Sequence, residues 1–186
     1  MKNALTVAIL ACTGLAGCTG TLPTAPAKAV TQNSTETIGA SGGYQPRNVA
    51  IALPDLSCGG SAYPETREAY VGGFKRAYIE SWNAALDAKR LGVATPKSAA
   101  QKKRRDYLAS HAIKATKEEQ EAMHEYETKP TRVTMARSPQ AGSPAEREEY
   151  RRAACVRDAY NKGSTQGGRQ GDEEVRNVLN RAPPDD

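Results

Sequence analysis

Apolar residues gather in a few stretches of this chain, and the period at which they recur changes from one stretch to the next. From Ala4 to Leu15 the residues are almost all apolar or small, including Ala4, Leu5, Val7, Ala8, Ile9, Leu10 and Ala11. Residues 19–57 show no sustained period, and their Thr, Ala, Pro, Ser and Gly content predicts a solvated, flexible linker. The exception is Val49-Ala50-Ile51-Ala52-Leu53, a short strand candidate ended by Pro54. Asn33-Ser34-Thr35 has the form of a glycosylation acceptor, and in this context reads as plain linker. A helical period follows. Tyr70, Phe74, Ala77, Tyr78, Trp82 and Ala85 fall on one broad face, with Lys75, Arg76, Glu80, Asn83 and Asp87 opposite. This predicts a helix over 64–90, opened by Pro64 and stopped before Gly92, whose aromatic stripe reads as core.

Beyond it, Thr95-Pro96 reads as a cap and first-turn proline opening a second helix towards His111. Thr116 with Glu119 forms a capping box for a third, short and very polar helix ending near Thr128 and closed by Lys129-Pro130. Residues 130–143 read as a loop. Ser143 with Glu146, and Pro144 between, is the strongest local start signal in the chain, predicting a helix over 144–162. Tyr150, Ala153, Val156 and Tyr160 share a face of that helix, and Cys155 lies away from its centre. The glycines from Gly163 to Gly171 read as a flexible connector. They match neither nucleotide-binding glycine pattern, because no strand precedes them and no Gly-Lys-Ser/Thr ends them. Asp172 then caps a last short helix carrying Val175, Val178 and Leu179, stopped by Pro183. The fold class expected is mainly α, a small helical domain of three to five helices behind a flexible N-terminal linker. Its divisions are a leader over 1–17, a linker over 18–57, the helical domain over 58–182 and a disordered tail over 183–186.

The first eighteen residues carry the most specific signal. Lys2 supplies a positive tip, the apolar core follows, and small residues stand before Cys18: the layout of a secretory signal, too short for a bilayer span of about 20 apolar residues. Leu15-Ala16-Gly17-Cys18 resembles the lipobox of bacterial lipoproteins. That resemblance implies cleavage between Gly17 and Cys18, diacylglycerol on the Cys18 thiol and acylation, such as with palmitate, of the new amino group. Acyl chains anchor by leaving water at roughly 0.8 kcal/mol per CH₂. Thr19 follows the cysteine where an inner-membrane retention signal has aspartate, so the resemblance implies the outer membrane, facing the periplasm.

Composition bounds the rest. Of 186 residues, those after the leader suffice for one domain, and Leu, Ile, Val and Phe together make up well under a fifth of them. Such a level points to a small core, helped by eight tyrosines and Trp82. The net charge of +5 suits an acidic surface and is too small to argue for nucleic acid. Four cysteines are present. Cys12 leaves with the leader and Cys18 takes the lipid, so Cys58 and Cys155 remain, and an oxidising periplasm predicts a disulfide between them. A loop of that length stabilises a fold by about 4–5 kcal/mol in the chain-entropy model.

Candidates for chemistry are few. His111 and His124 show no ligand spacing to carboxylates or cysteines and read as exposed helix positions. Glu118, Glu119, Glu121 and Glu125 read as a solvated helix face. His-Glu-x-x-His is absent. No catalytic residue, metal or cofactor is therefore expected. Lys102-Lys103-Arg104-Arg105 wraps around its helix and reads as solvated surface, with anionic lipid, lipopolysaccharide or cell wall as the functional alternative. The leading expectation is a membrane-anchored, non-catalytic interaction or structural lipoprotein that touches an envelope protein or the cell wall. Its oligomeric state is left open. Phe74-Lys75-Arg76-Ala77-Tyr78, Asp87, Gly92, Ala159-Tyr160 and Gly168-Arg169 resemble segments of plasmid-borne entry-exclusion lipoproteins, with different spacing between blocks. That resemblance covers about half the chain after the leader, and implies a role in making the host envelope a poor recipient for further DNA. A cell-wall or lipid-acting enzyme built on His111 or His124 is the third class.

Overall fold

The structure, a computed structural model, describes residues 32–40, 44, 47–58, 60, 62–92, 95–128 and 142–184. Cys18, the leader before it and the linker up to residue 31 lie outside the described residues, as do the last two residues of the tail. The fold is mainly α. Among the described residues, a two-stranded antiparallel hairpin, β1 (Gln32–Ile38) and β2 (Arg47–Leu53), precedes four helices: α1 (Pro64–Leu91), α2 (Ala99–Ser110), α3 (Lys117–Thr128) and α4 (Pro144–Leu179).

Helix α1 is the axis of the molecule. Its buried residues include Ala69, Tyr70, Phe74, Tyr78, Ile79, Trp82 and Leu86. At 100° per residue they cover well over half of its circumference, so neighbours pack on several sides. Phe74, Tyr78 and Trp82 are fully enclosed, as the aromatic stripe predicted.

Helix α4 departs most from the sequence reading. It is one continuous helix of 36 residues, roughly 54 Å long. Gly163 to Gly171 lies in its interior and is no connector, and Asp172 caps nothing. Instead Cys155, Ala159, Gly163, Gly167, Gly171, Val175 and Val178 form its buried line. Tyr150, Ala153, Val156 and Tyr160, the face read from the sequence, are only half-buried flanks. A Cβ built on Gly163 would stand 2.0 Å from the Tyr70 carbonyl oxygen, and one on Gly167 2.1 Å from that of Phe74. Gly171 faces Tyr78 at 2.7 Å, and Gly73 on α1 faces Tyr160 at 2.2 Å. The two backbones thus approach so closely that only hydrogen fits between them, the small-xxx-small packing that places Cα–H groups against carbonyl oxygens. From Tyr70–Gly163 through Phe74–Gly167 to Tyr78–Gly171 the partner numbers rise together, so α1 and α4 are parallel.

Parallel helices need a return path, and α2 and α3 supply it. His111, just past α2, accepts the Trp82 indole N–H on its carbonyl at 2.9 Å. Asn83 pairs with Ile113 through both amide atoms, each at 2.9 Å. Helix α3 then lies beside the N-terminal half of α1. Its capping box forms as predicted: Thr116 Oγ1 accepts from the Glu119 N–H, and Glu119 accepts from the Thr116 N–H. The box at Ser143 and Glu146 also forms. Helix α2 begins later than expected, since Ser98 is the cap whose hydroxyl accepts from Gln101 N–H, not Thr95.

The flexible reading of 18–57 is corrected over Gln32–Ile38 and Arg47–Leu53, which are strands. Strand β2 extends the expected 49–53 run and alternates cleanly, with Val49, Ile51 and Leu53 buried and Asn48, Ala50 and Ala52 exposed. Strand β1 pairs with it from Gln32↔Leu53 to Ile38↔Arg47. Its inward side carries Ser34, Glu36 and Ile38, so it shows no apolar alternation to detect. The tail reading needs a similar change at Pro183, whose carbonyl accepts from Arg104 Nη1 at 2.5 Å.

Candidate functional site

The hairpin is fastened to the helix pair by one carboxylate. Glu174 of α4 accepts from Arg47 of β2, from the Tyr78 hydroxyl of α1 and from Gln170 one turn back, each at 2.8 Å. The Arg47 guanidinium lies 4.3 Å from the Trp82 ring centroid, with Tyr44 beside it. Burial, and secondarily the Glu174 carboxylate, push the Tyr78 phenol well above its usual range. Both oxygens of the Glu174 carboxylate are engaged, so the cluster orders three elements.

A concavity lies between β1, α1 and α3. It holds about 460 Å³, with Val71, Gly72, Ala122 and Met123 along its floor and Glu36, Arg67 and Lys75 on its rim. Such a volume lies within the range of small-molecule pockets. The rim is largely self-neutralised. Glu36 pairs with Lys75 at 3.2 Å, and Glu119 is turned towards the backbone N–H of Gly39 and Thr116. Burial opposes the charge on Glu36, but the bonds from Ser34 and Lys75 and the field of Arg67 outweigh it and lower its pKa. Among the lining residues there is no histidine, cysteine or serine. This groove has the groups to hold a ligand by contact.

The sequence candidates disperse. His111 is half-buried, not exposed: its ring lies against Tyr107 and Tyr44 at centroid distances of 4.1 and 5.0 Å. Its Nδ1 is 2.7 Å from the Tyr107 carbonyl. His124 stands exposed on α3, together with Glu118 and Glu121, while Glu119 is half-buried. The side chain of Glu125 lies outside the described residues. Among the described residues no group of three or more histidines, cysteines or carboxylates could hold a metal ion. Nor is any described helix long and apolar enough to cross a membrane. Arg104 turns inward to Pro183, whereas Lys102 and Lys103 point to solvent.

The Cys58–Cys155 disulfide is formed, with a Cα–Cα separation of 5.9 Å, inside the usual range. It ties the segment leading into α1 to the buried line of α4. Tyr63 with Glu148, at 2.6 Å, and Glu65 with Arg152 reinforce the same end.

Of the residues quoted for the exclusion resemblance, Arg76 donates to the Tyr160 hydroxyl at 2.9 Å, and Ala77 is the nearest neighbour of Gly168. Comparison with known proteins adds nothing to these geometric findings: no protein-family model matches the chain, and no curated protein or solved structure resembles it significantly.

Proposed function

We propose that this chain is a lipid-anchored protein of the bacterial envelope, held through Cys18 at the outer membrane and facing the periplasm. Its folded domain acts by contact, as a non-catalytic interaction or structural module for an envelope protein or the cell wall. The observation that carries the reading is the bond between Cys58 and Cys155. Disulfides of this kind persist in oxidising, exported compartments, in keeping with the secretory layout of the first seventeen residues. With those two sulfurs joined and Cys12 in the leader, Cys18 is the remaining thiol of the processed chain, as a lipid-carrying cysteine requires.

The test is mass spectrometry of the membrane-extracted protein, native and after Cys18→Ala. A chain beginning at Cys18 with added acyl mass, absent from the variant, is expected. An unlipidated chain cut elsewhere would remove the anchor. Crosslinking in intact envelopes followed by pull-down addresses the contact role, and recovery of no specific partner counts against it.

A second reading is entry or superinfection exclusion. It is favoured by the contacts of Arg76 with Tyr160 and of Ala77 with Gly168 along one helix pair, which bring three of the resembling segments together. Conjugation and phage-adsorption frequencies that are identical on deletion and overexpression would eliminate it.

A further inference from the structure

The parallel pair gives the molecule two unlike ends. Both helix N-termini lie at one pole, where Glu65 and Glu146 occupy the first turns. Both C-termini lie at the other, where Lys89, Arg90 and Arg176 occupy the last turns. These charges answer the helix dipoles, which in a parallel pair add instead of cancelling. That account does not reach α2. This helix is laid across the C-terminal pole by Arg104 on the Pro183 carbonyl and by the Tyr107 hydroxyl on that of Val178. Lys97, Lys102 and Lys103 at and near its start are exposed, have no ion pair among the described residues, and lie outside its last turn. At the same pole stands Leu91, 72% exposed and the one exposed large hydrophobic residue among those described.

Unpaired lysines and a projecting leucine at one pole are the ingredients of an interfacial contact. Headgroup phosphates attract the charges, and the apolar side chain enters the acyl boundary. We infer that this pole docks on a phosphate-bearing anionic lipid surface. The inference rests on the envelope reading above and supplies the module with an orientation. Reach allows it. Ala52 at the hairpin's open end is bonded to Tyr70, roughly 30 Å along α1 from Leu91. The stretch from Cys18 to Gln32 spans at most about 50 Å when fully extended.

The test uses the processed chain from Thr19, which has neither leader nor lipid, so it succeeds or fails independently of acylation at Cys18. Co-sedimentation is measured with vesicles of phosphatidylcholine alone and of phosphatidylcholine with phosphatidylglycerol. Binding to the anionic vesicles only, reversed by salt, is expected. Lys97→Gln/Lys102→Gln/Lys103→Gln should weaken it about a hundredfold, at about fivefold per charge. Leu91→Ser should weaken it about tenfold. A charge-matched triple on α4, Arg147→Gln/Arg157→Gln/Lys162→Gln, should bind as the parent does. All these positions are solvent-exposed, and circular dichroism reports that the helices remain. Equal binding to neutral vesicles, undiminished binding by the lysine triple, or an equal loss in the α4 triple would each overturn the assignment. So would competition by inorganic polyphosphate together with indifference to Leu91→Ser, which would mark a free-phosphate site instead.

Discussion

Helices α1 and α4 run side by side and bury one another, but with opposite kinds of side chain. On α1 the contact runs along Tyr70, Phe74 and Tyr78, whose rings are buried, with Gly73 among them. On α4 it is made by Ala159, Gly163, Gly167 and Gly171, which contribute almost no side chain and let the backbones meet. A helix interior normally loses about 1 kcal/mol per glycine relative to alanine. Here that loss is offset by dispersion and Cα–H contacts that a larger residue would prevent. A buried face is therefore defined by fit to its partner, and hydrophobicity is only one way of achieving it.

The contrast can be broken most severely at the point where the helices are joined. Cys58→Ser/Cys155→Ser is expected to lower stability by about 4–5 kcal/mol in the chain-entropy model. Urea unfolding of oxidised and substituted protein measures it, and coincident midpoints would show the cross-link to be dispensable. On the α1 side, Trp82→Ala empties the enclosed site beneath Arg47 and should lose about 3–5 kcal/mol. On the α4 side, adding one methyl should be nearly as harmful. Gly167→Ala drives a Cβ into the Phe74 backbone, which cannot swing aside, and is expected to lose about 3 kcal/mol. A neutral or stabilising result there would refute the close approach. Gly168, one residue along, sharpens the comparison: its nearest neighbour to a built Cβ is 3.9 Å away. Gly168→Ala should gain up to about 1 kcal/mol by helix propensity alone.

The smallest effect is electrostatic and lies away from the helix pair. The Glu36 carboxyl is lowered below 4.5 in the folded protein, so its contribution is fully present above that value. The contribution disappears as pH falls through the lowered folded value. Stability of the parent and of Lys75→Met, compared across that acid range, should differ most at neutral pH and converge in acid. A constant difference would show that charge on Glu36 is not involved.

Several elements were legible because their signals are local. The aromatic period of α1, the boxes at Thr116 and Ser143, and the alternation of Val49, Ile51 and Leu53 depend on residues within a few positions of one another. The Cys58–Cys155 bond could be anticipated by elimination among four cysteines. What escaped had its partner far along the chain. Strand β1 buries Glu36, and Lys75 on α1 makes that acceptable. Asn83 falls on the polar face by period, and Ile113 gives both of its amide atoms a partner. His111 looked exposed until Tyr107 and Tyr44 closed on its ring. The mixed groove likewise exists only where β1, α1 and α3 converge, so no single stretch announces it.

The chain's own pattern determined the starts of α1, α3 and α4 and the aromatic face of α1, since caps and periods act over a turn or two. Only the tertiary structure decided that Gly163 to Gly171 is helix and not a loop. Glycine is compatible with both conformations, and the balance is set by the carbonyls of Tyr70, Phe74 and Tyr78 standing within contact of a backbone that carries no side chain.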